Sequence, residues 1–393
     1  MMKTFVLLLL LAICCATVTA NATTTSFTVT PSGPPVSVWS SVDQLHKCGV
    51  NDTPDIPARV FTDAQGLVHM IVGSTSFHLM TGPSVFNQTR SCASTWNSTQ
   101  SPDESLYAAA QWLNPPHVFP NGTVVVLVHN EYPNNATWRT QRGCTQPYPY
   151  CWQASQGLAI SDDWGVSWRL ARPPPGHLVA AVPYKVNTTQ LASGWAGPSN
   201  FFSSPHEPGF FYVAVLNRNT VGLQPAGICF MRTRDLTDPA SWRAFGGGTN
   251  YNVTFASPFT IAPGTESAHI CTVANLPPCT PHGVVYSVYL ELFVITMDCL
   301  SDQDGSTWMG MSTSPDLVTW TPAVEFYSIK DLPANVAKNV TSMTYSTFID
   351  PSQSEAGNFG VIGQDPPLFW ASIGHSPTTD GRRVWATPFH FEK

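Results

Sequence analysis

The residues best suited to chemistry in this sequence are carboxylates at the ends of predicted strands. Residues 124–128 are apolar throughout and run directly into His129, Asn130, Glu131 and Tyr132. A carboxylate carried by a buried strand into a confined space would have its pKa raised by desolvation, which suits a general acid near neutral pH. We therefore take Glu131 as the candidate acid. A solvated loop glutamate and a buried structural histidine are the alternatives.

A second candidate carboxylate, Asp55, precedes the strand predicted to begin at Arg59. Pro57 would hold this turn rigid because its ring fixes φ. Arg59 could pair with Asp55 or bind an anionic or hydroxyl-rich ligand, whereas an N-terminal cap of the fold is the structural alternative. Glycoside hydrolysis requires one carboxyl group that protonates the leaving oxygen and another that activates water or attacks the anomeric carbon. Asp55 and Glu131 could form that pair.

Several further side chains could orient a sugar. Residues 194–200 combine the aromatic face of Trp195 with small hydrogen-bonding groups, although a plain turn explains them equally well. Arg232 could bind a substrate group or Asp235, and Tyr289 and Glu291 would share one face if the apolar run around them is a strand. The candidate substrate-binding residues are Arg59, His129, Tyr132, Trp195, Ser199, Asn200, Arg232, Tyr289 and Glu291.

A repeated turn indicates how these side chains are held. Three times an apolar strand leads into Ser or Thr, then an aspartate, then a closing tryptophan; the pairs are Asp163 with Trp168, Asp235 with Trp242, and Asp316 with Trp320. The carboxylate would accept backbone N–H groups of its own turn while the tryptophan packs beneath the hairpin, which is a structural role. The periodicity predicts an all-β fold, a five-bladed β-propeller with four-stranded antiparallel blades.

The five predicted blades follow one another along the chain. Their core segments are residues 59–72, 111–168, 195–242, 283–320 and 345–391, and the strand around residues 36–39 would close the ring. In such a ring the innermost strands line a channel, and loops at one mouth supply the functional groups. Residues 36–393 would form one domain, preceded by a signal peptide over 1–20 and a flexible segment over 21–35.

Cysteines and sequons agree with export. Eight cysteines follow the leader, which predicts disulfides; short spacing favours Cys144–Cys151 and Cys271–Cys279, with other pairings left open. Nine Asn-x-Ser/Thr sequons predict a secreted, extracellular glycoprotein of a eukaryote. The sequons stand at Asn21, Asn51, Asn87, Asn97, Asn121, Asn135, Asn187, Asn252 and Asn339.

Composition excludes several classes of partner. The 25 acidic and 18 basic residues include no basic run that would follow a phosphate backbone, so we expect no nucleic acid. After the leader, no apolar stretch reaches the length of a membrane span. The absence of a Cys-x-x-Cys pair argues against zinc. We expect a monomer without a metal or cofactor, acting on a carbohydrate or glycoconjugate.

The chain also resembles a known group, the five-bladed propellers of the arabinanase, levansucrase and invertase superfamily, including glycoside hydrolase family 43. The resemblance rests on Asp55-Ile-Pro57, on the segment opening at Trp112 and on the repeated hairpins, and spans about residues 50–390. It implies an aspartate base on blade one, a second aspartate on blade two and a glutamate acid on blade three. Asp55 matches the first, whereas Asn114 and residues 198–200 stand where the others would.

A second resemblance concerns the turns alone. Residues 161–168 are similar to the Asp box of sialidases, and residues 301–308 form an altered copy with Gln303 at the acidic position. Sialidases carry Arg-Ile-Pro before their first blade, whereas here Asp55 precedes Ile56-Pro57. A glycoside hydrolase is thus the leading hypothesis. A non-catalytic glycan-binding or cell-surface interaction propeller and a sialidase-like exoglycosidase are the alternatives.

Overall fold

The computed structural model describes residues 27–49, 54–133, 135–147, 150–185, 187–300, 307–374 and 381–393, and the fold there is mostly β-sheet. The described residues begin with β1 (Thr28–Pro31), β2 (Val36–Ser40) and helix α1 (Ser41–Cys48). Two more short α-helices, α2 (Ala136–Arg142) and α3 (Ala334–Ala337), lie in connections. Within the described ranges, no helix is long and apolar enough to cross a membrane. The signal peptide predicted over 1–20 lies outside the described residues.

The remaining strands fall into five consecutive antiparallel groups, three of which come before residue 254. The first group is β3 (Arg59–Thr62), β4 (Val68–Ile71), β6 (Met80–Ser84) and β7 (Asn87–Arg90), with a separate pair β5 (Ser76–Phe77) and β8 (Trp96–Asn97). The second is β9 (Ala110–Val118), β10 (Val124–Tyr132) and β11 (Gln153–Ser161), edged by β12 (Arg169–Leu170) and β13 (Leu178–Ala180). The third is β14 (Ser193–Ala196), β15 (Phe202–Ser204), β16 (Glu207–Asn217), β17 (Gly227–Thr233), β18 (Arg243–Gly247) and β19 (Asn250–Val253).

The fourth and fifth strand groups follow residue 254. The fourth is β20 (Thr280–Ser287), β21 (Leu292–Leu300), β22 (Thr307–Ser314) and β23 (Val324–Tyr327). The next strands are β24 (Ser342–Phe348), β25 (Val361–Ile362), β26 (Pro367–Ile373) and β27 (Arg382–Glu392). Of these, β25 pairs in parallel with β20, and β24, β26 and β27 form the fifth group. Both N-terminal strands pair with β27 and so extend the last group.

Strand pairing also joins two of the groups into one sheet. The start of β11 pairs in parallel with β14 and joins the second and third groups into one sheet. The close approach depends on Gly194, because a Cβ there would lie 2.2 Å from the carbonyl oxygen of Ala154. Pairing alone therefore does not close the groups into a ring.

Apolar packing connects the groups in cyclic order. Separate buried clusters join group one to two, two to three, three to four and four to five, around Phe61, Trp195, Phe293 and Trp370 respectively. A fifth cluster, which includes Phe369, joins group five back to group one. Burial of this apolar surface is the main stabilising contribution to such a fold.

The repeated turns form as the sequence predicts. Asp163 accepts the backbone N–H of Ser167 at 2.8 Å, Asp235 that of Thr237 at 2.9 Å, and Asp316 those of Val318 and Thr319. Each carboxylate thereby satisfies donors that the hairpin would otherwise leave unpaired. The hydrogen bonds lower the pKa of Asp163 and Asp316 against a raising effect of burial. The altered copy over 301–308 lies mostly outside the described residues.

The four disulfides correct one expectation. The bonds are Cys48–Cys92, Cys144–Cys151, Cys229–Cys271 and Cys279–Cys299. The prediction of Cys144–Cys151 is confirmed, and that of Cys271–Cys279 is wrong. The short spacing between Cys271 and Cys279 was a poor criterion for pairing. Cys279 and Cys299 instead approach across the hairpin of β20 and β21, next to the paired residues Thr280 and Asp298.

Candidate functional site

The two candidate carboxylates lie at the same end of neighbouring central strands. Side chains of Arg59 in β3 and Asn114 in β9 are hydrogen-bonded at 2.8 Å. Farther along, the ends of both strands bond to one loop: Thr62 donates to the carbonyl of Gly357, and Val118 donates to the side chain of Asn358. The two strands therefore run in the same direction.

The starts of these strands define what we call the front end. Asp55 lies four residues before Arg59, and Glu131 in β10 pairs with Ala110, the first residue of β9. Since β3 and β9 run together, Asp55 and Glu131 both belong to the front end. The sequence hypothesis of a carboxylate pair requires this placement.

Asp55 is held by a cation and a phenol. The guanidinium of Arg382 forms an ion pair with Oδ1 of Asp55, and the hydroxyl of Tyr345 donates to the same oxygen at 3.0 Å. About a third of the Asp55 side chain remains exposed. Burial lowers the pKa of Arg382, but the charges of Asp55 and Tyr345 and the hydrogen bonds to both together outweigh it, so the net pKa is raised. Asp55 is thus an anchored, partly accessible carboxylate.

Tyr345 links Asp55 to a third carboxylate, Asp298. Asp298 Oδ2 accepts the backbone N–H of Tyr345 at 3.0 Å and also the hydroxyl of Thr344. Tyr345 has a φ of 62°, a left-handed conformation that is costly for a bulky side chain and needs such support. Burial, followed by the charge of Asp55, raises the pKa of the Tyr345 phenol well above its usual value. The phenol therefore acts as a donor.

His282 completes this cluster from β20. Its ring packs edge-on against Tyr345 with centroids 5.2 Å apart, and Nε2 lies 2.8 Å from Oδ2 of Asp298. Neither ring nitrogen of His282 forms a well-aligned hydrogen bond within the described chain, and Oδ1 of Asp298 is also buried without a partner there. Buried polar groups normally have partners, so these atoms could meet polar groups of a ligand or ordered water.

Glu131 sits in a polar and aromatic setting rather than the apolar one expected from sequence. Nε2 of His129 lies 3.0 Å from Oε1, and the indole N–H of Trp152 donates to Oε2 at 3.1 Å. The other nitrogen of His129 faces the amide of Gln156 at 3.1 Å. About a quarter of the Glu131 side chain is exposed. Both oxygens therefore have nearby partners, and the group stays accessible.

The ring of Tyr132, the residue after Glu131, packs against other protein side chains. Its ring stacks on Trp138, and Arg142 lies over it with 5.9 Å between the guanidinium carbon and the ring centroid. Burial, helped by the charge of Glu104, raises the pKa of the Tyr132 phenol. Tyr132 packs against α2 and its contacts are with protein.

The segment predicted to bind a sugar is buried. Trp195 is fully buried against Phe255 with ring centroids 5.3 Å apart. The Ser199 hydroxyl accepts the N–H of Ala214, and the Asn200 amide bonds to both backbone groups of Val284 in the next strand group. Asn200 thus links the third and fourth strand groups, and all three side chains are buried, so direct contact with a ligand is not supported.

Arg59 does not pair with Asp55. Its guanidinium is buried and donates to the side chains of Asn114 and Thr347 and to the carbonyls of Pro198 and His282. Burial lowers the pKa of Arg59 to about 9. Its bonds reach one residue in or next to each of the other four strand groups, which gives it a structural role at the centre.

The last three candidates lie away from the front end. Arg232 pairs with Glu207, not Asp235, and lies between the rings of Phe210 and Tyr251, with the guanidinium carbon 4.0 and 4.3 Å from their centroids. The prediction that Tyr289 and Glu291 share a strand face is wrong.

The correction follows from the turn between β20 and β21. Residues 288–291 connect these strands, and Glu291 is exposed with a φ of 60°. Its N–H donates to the carbonyl of Ser287, which closes the turn. An apolar run long enough for two strands conceals the tight turn between them.

Four front-end residues escaped the sequence interpretation: His282, Asp298, Tyr345 and Arg382. Asp298 ends the apolar run of β21 as Glu131 ends that of β10, so the same criterion could have found it. No comparable signal marks Arg382 as the partner of Asp55, because the two are separated by most of the chain. The described residues contain no cluster of three or more potential metal-ligating His, Cys, Asp or Glu side chains.

Comparisons with known proteins give structural similarity only. Among solved structures, an α-L-arabinofuranosidase from Podospora anserina in complex with cellotriose aligns with 9% identity and a TM-score of 0.49, covering 93% of this chain and 97% of that one. The catalytic domain of a GH62 α-L-arabinofuranosidase from Coprinopsis cinerea gives 10% identity, a TM-score of 0.47 and coverage of 92% and 97%. An endo-arabinase from Bacteroides thetaiotaomicron aligns with 9% identity and a TM-score of 0.45, covering 85% of this chain and 96% of that one.

Sequence comparisons add nothing to these. No protein-family model matches the chain, and no curated protein matches it. Since all three TM-scores lie below 0.5, we take fold and function from the chain's own residues.

Proposed function

We propose that the chain is a secreted glycoside hydrolase built as a closed five-bladed propeller. Support for the closed ring comes from the five apolar clusters, which join each strand group to the next and the last to the first. Arg59 adds support, because its bonds reach the other four groups. Four disulfides suit an exported protein.

One observation carries the proposed activity. Two partly accessible carboxylates from neighbouring strand groups, Asp55 and Glu131, share the front end, and each is oriented by named donors. Hydrolysis of an O-glycosidic bond needs such a pair on either side of the anomeric carbon. Trp152, whose indole N–H donates to Glu131, is itself buried and orients the carboxylate from within the protein.

The roles follow from the partners. Glu131 would give its proton to the glycosidic oxygen as the bond from that oxygen to the anomeric carbon breaks, and His129 at 3.0 Å could return a proton to it. Asp55, anchored by Arg382 and Tyr345, would either take a proton from the water that attacks the anomeric carbon or attack that carbon itself. The partnerless buried oxygen of Asp298 would accept a sugar hydroxyl.

A non-catalytic glycan-binding propeller is the second candidate. It is favoured by the fact that Asp55 and Glu131 already have protein partners, including the Arg382 ion pair. Hydroxyl groups of a sugar could bind the same atoms without bond cleavage. A sialidase-like activity has less support, because Arg59 and Arg382 are committed to protein groups.

The test is a screen of the secreted protein against nitrophenyl glycosides of common pentoses and hexoses in both anomeric forms. We expect turnover of at least one substrate, lowered at least 100-fold by Glu131→Gln. The control is Glu325→Gln, which changes an exposed glutamate on edge strand β23 and should leave the rate unaltered. Calorimetric glycan binding without turnover by any form would favour the non-catalytic alternative.

A further inference from the structure

A tight turn on the side opposite the front end exposes a sequon. Asn121 lies between β9 and β10, where Phe119 donates its N–H to the carbonyl of Thr123 and Gly122 donates to that of Phe119. Gly122 has a φ of 91°, which a side chain would disfavour. Asn121 is exposed, and its Oδ1 accepts the N–H of Thr123 at 3.1 Å. The turn thus fixes the direction of the asparagine.

Beside this turn lies a groove of about 320 Å³. Its aromatic walls are Phe119 and Trp164, and Pro120, the neighbour of Asn121, forms part of its rim. Polar groups from Thr62, Asp63 and Ser354 also line it. A groove of this size with aromatic faces and a few polar groups suits a sugar ring.

Both aromatic side chains are held in place. The Phe119 ring packs edge-on against His117 with centroids 5.0 Å apart. The backbone N–H of Trp164 donates to the carbonyl of Gly122, and the indole lies so close to that glycine that an added Cβ would be 2.8 Å from Cε2. Burial lowers the pKa of His117 to about 4, so its ring is neutral at physiological pH. The groove is preorganised around the turn.

We propose that Asn121 carries an N-linked glycan whose first N-acetylglucosamine packs into this groove against Phe119. Among the nine sequons of the sequence, only the one at Asn121 has an aromatic residue two positions before the asparagine. In the observed turn, residue 119 and residue 121 flank the same corner, with Pro120 between them on the groove rim. A ring linked to Asn121 therefore starts at the edge of the groove that would receive it.

The attachment is an ordinary transfer from a lipid diphosphate oligosaccharide. The side-chain nitrogen of Asn121 forms a bond to C1 of the first sugar, the bond from C1 to the diphosphate oxygen breaks, and the amide loses one proton. Thr123 supplies the hydroxyl of the sequon. Because the turn lies beyond Val118, at the far end of β9, the glycan leaves the front end open.

The test combines occupancy with stability in protein secreted by a eukaryotic host. Mass spectrometry of the peptide containing Asn121 measures occupancy. Melting temperatures are compared for the wild type, Phe119→Leu, Thr123→Ala and the double variant. Thr254→Ala, which removes the exposed sequon at Asn252 without an aromatic residue at the corresponding position, is the matched control.

We expect full occupancy of Asn121 in the wild type. The melting temperature should fall by about 2 °C when Thr123→Ala removes the glycan. Thr123→Ala should not lower the melting temperature further in the Phe119→Leu background. Thr254→Ala should leave the wild-type melting temperature unchanged. Enzymatic trimming to the first N-acetylglucosamine should retain the wild-type melting temperature. An unoccupied Asn121, or an equal fall with and without Phe119, would overturn the proposal.

A groove that is left open to a free sugar gives a different result. Soluble N-acetylglucosamine that raises the melting temperature of the occupied wild type would mean that the attached glycan leaves the groove empty. These outcomes do not depend on hydrolase activity, so the two proposals succeed or fail separately.

Discussion

Three carboxylates at the front end are distinguished by what binds them. Asp55 has a guanidinium and a phenol, Asp298 has a backbone N–H and a hydroxyl, and Glu131 has an imidazole and an indole. Tyr345 contacts two of them, through its hydroxyl and its backbone nitrogen. Its side chain therefore fixes the position of Asp55 relative to Asp298.

The indole donor to Glu131 gives a residue-scale prediction. Trp152→Phe keeps a buried aromatic ring but removes the hydrogen bond to Oε2 of Glu131. A hydrogen bond to a charged group is worth about 1.5–3 kcal/mol, so we expect kcat on a responsive glycoside to fall roughly tenfold or more. An unchanged pH profile and kcat would show that Trp152 does not orient the acid.

A buried histidine gives a prediction on acid stability. His177 is fully buried beside the carbonyl of Tyr107, and burial lowers its pKa to about 4 from an ordinary value of 6.5. Between those pH values the unfolded chain binds more protons than the folded one. The free energy of unfolding therefore falls as the pH falls through this window.

The measurement is urea unfolding at pH 7 and pH 4. His177→Gln should reduce the loss of stability between them by roughly 3 kcal/mol. The exposed His206→Gln should leave that loss unchanged. An equal loss in His177→Gln and the wild type would mean that His177 is already protonated or does not sense burial.

At the scale of elements, the sequence was most informative where one strand is apolar on both faces. Every residue of the run 124–128 is buried in β10, and the turn at Asn121-Gly122 precedes it. The interpretation failed at residues 288–291, because continuous apolarity does not mark where a hairpin reverses. Ser199 and Asn200 were also misleading, since polar residues between strands can bond to protein backbone as readily as to a ligand.

Disulfide connectivity belongs to this scale. We expect non-reduced peptide mapping to recover Cys229 linked to Cys271 and Cys279 linked to Cys299. Closing a loop of 42 residues is worth about 4 kcal/mol in the chain-entropy account. Replacing Cys229 and Cys271 by serine should therefore destabilise the protein more than replacing Cys144 and Cys151, whose separation is 7. A peptide linking Cys271 to Cys279 would contradict the fold.

At the scale of the whole molecule, Arg59 is the residue on which the strand groups converge. A lysine cannot reproduce its forked donors, so Arg59→Lys would leave buried acceptors such as Asn114 and Thr347 without partners. We expect a loss of about 3 kcal/mol or more in the free energy of unfolding. Arg169→Lys, on an exposed ion pair, should change stability by less than about 0.5 kcal/mol. Equal effects would argue against convergence at Arg59.

The cyclic packing could be predicted from sequence only in outline. Repeated turns predicted an all-β fold, and apolar runs such as residues 124–128 predicted individual strands. Which polar groups meet at the centre depends on contacts between distant segments, such as Asp55 with Arg382 and Arg59 with Thr347. Such pairings leave no periodic pattern in one sequence.

The central claim is that Asp55 and Glu131 act as one unit at the front end. The most direct test measures kcat/KM of Asp55→Asn, Glu131→Gln and the double variant on one responsive aryl glycoside. We predict that each single change lowers kcat/KM at least 100-fold and that the double variant is little slower than the slower single variant, since residues acting together are not additive. Turnover by either single variant at the wild-type rate would contradict the account.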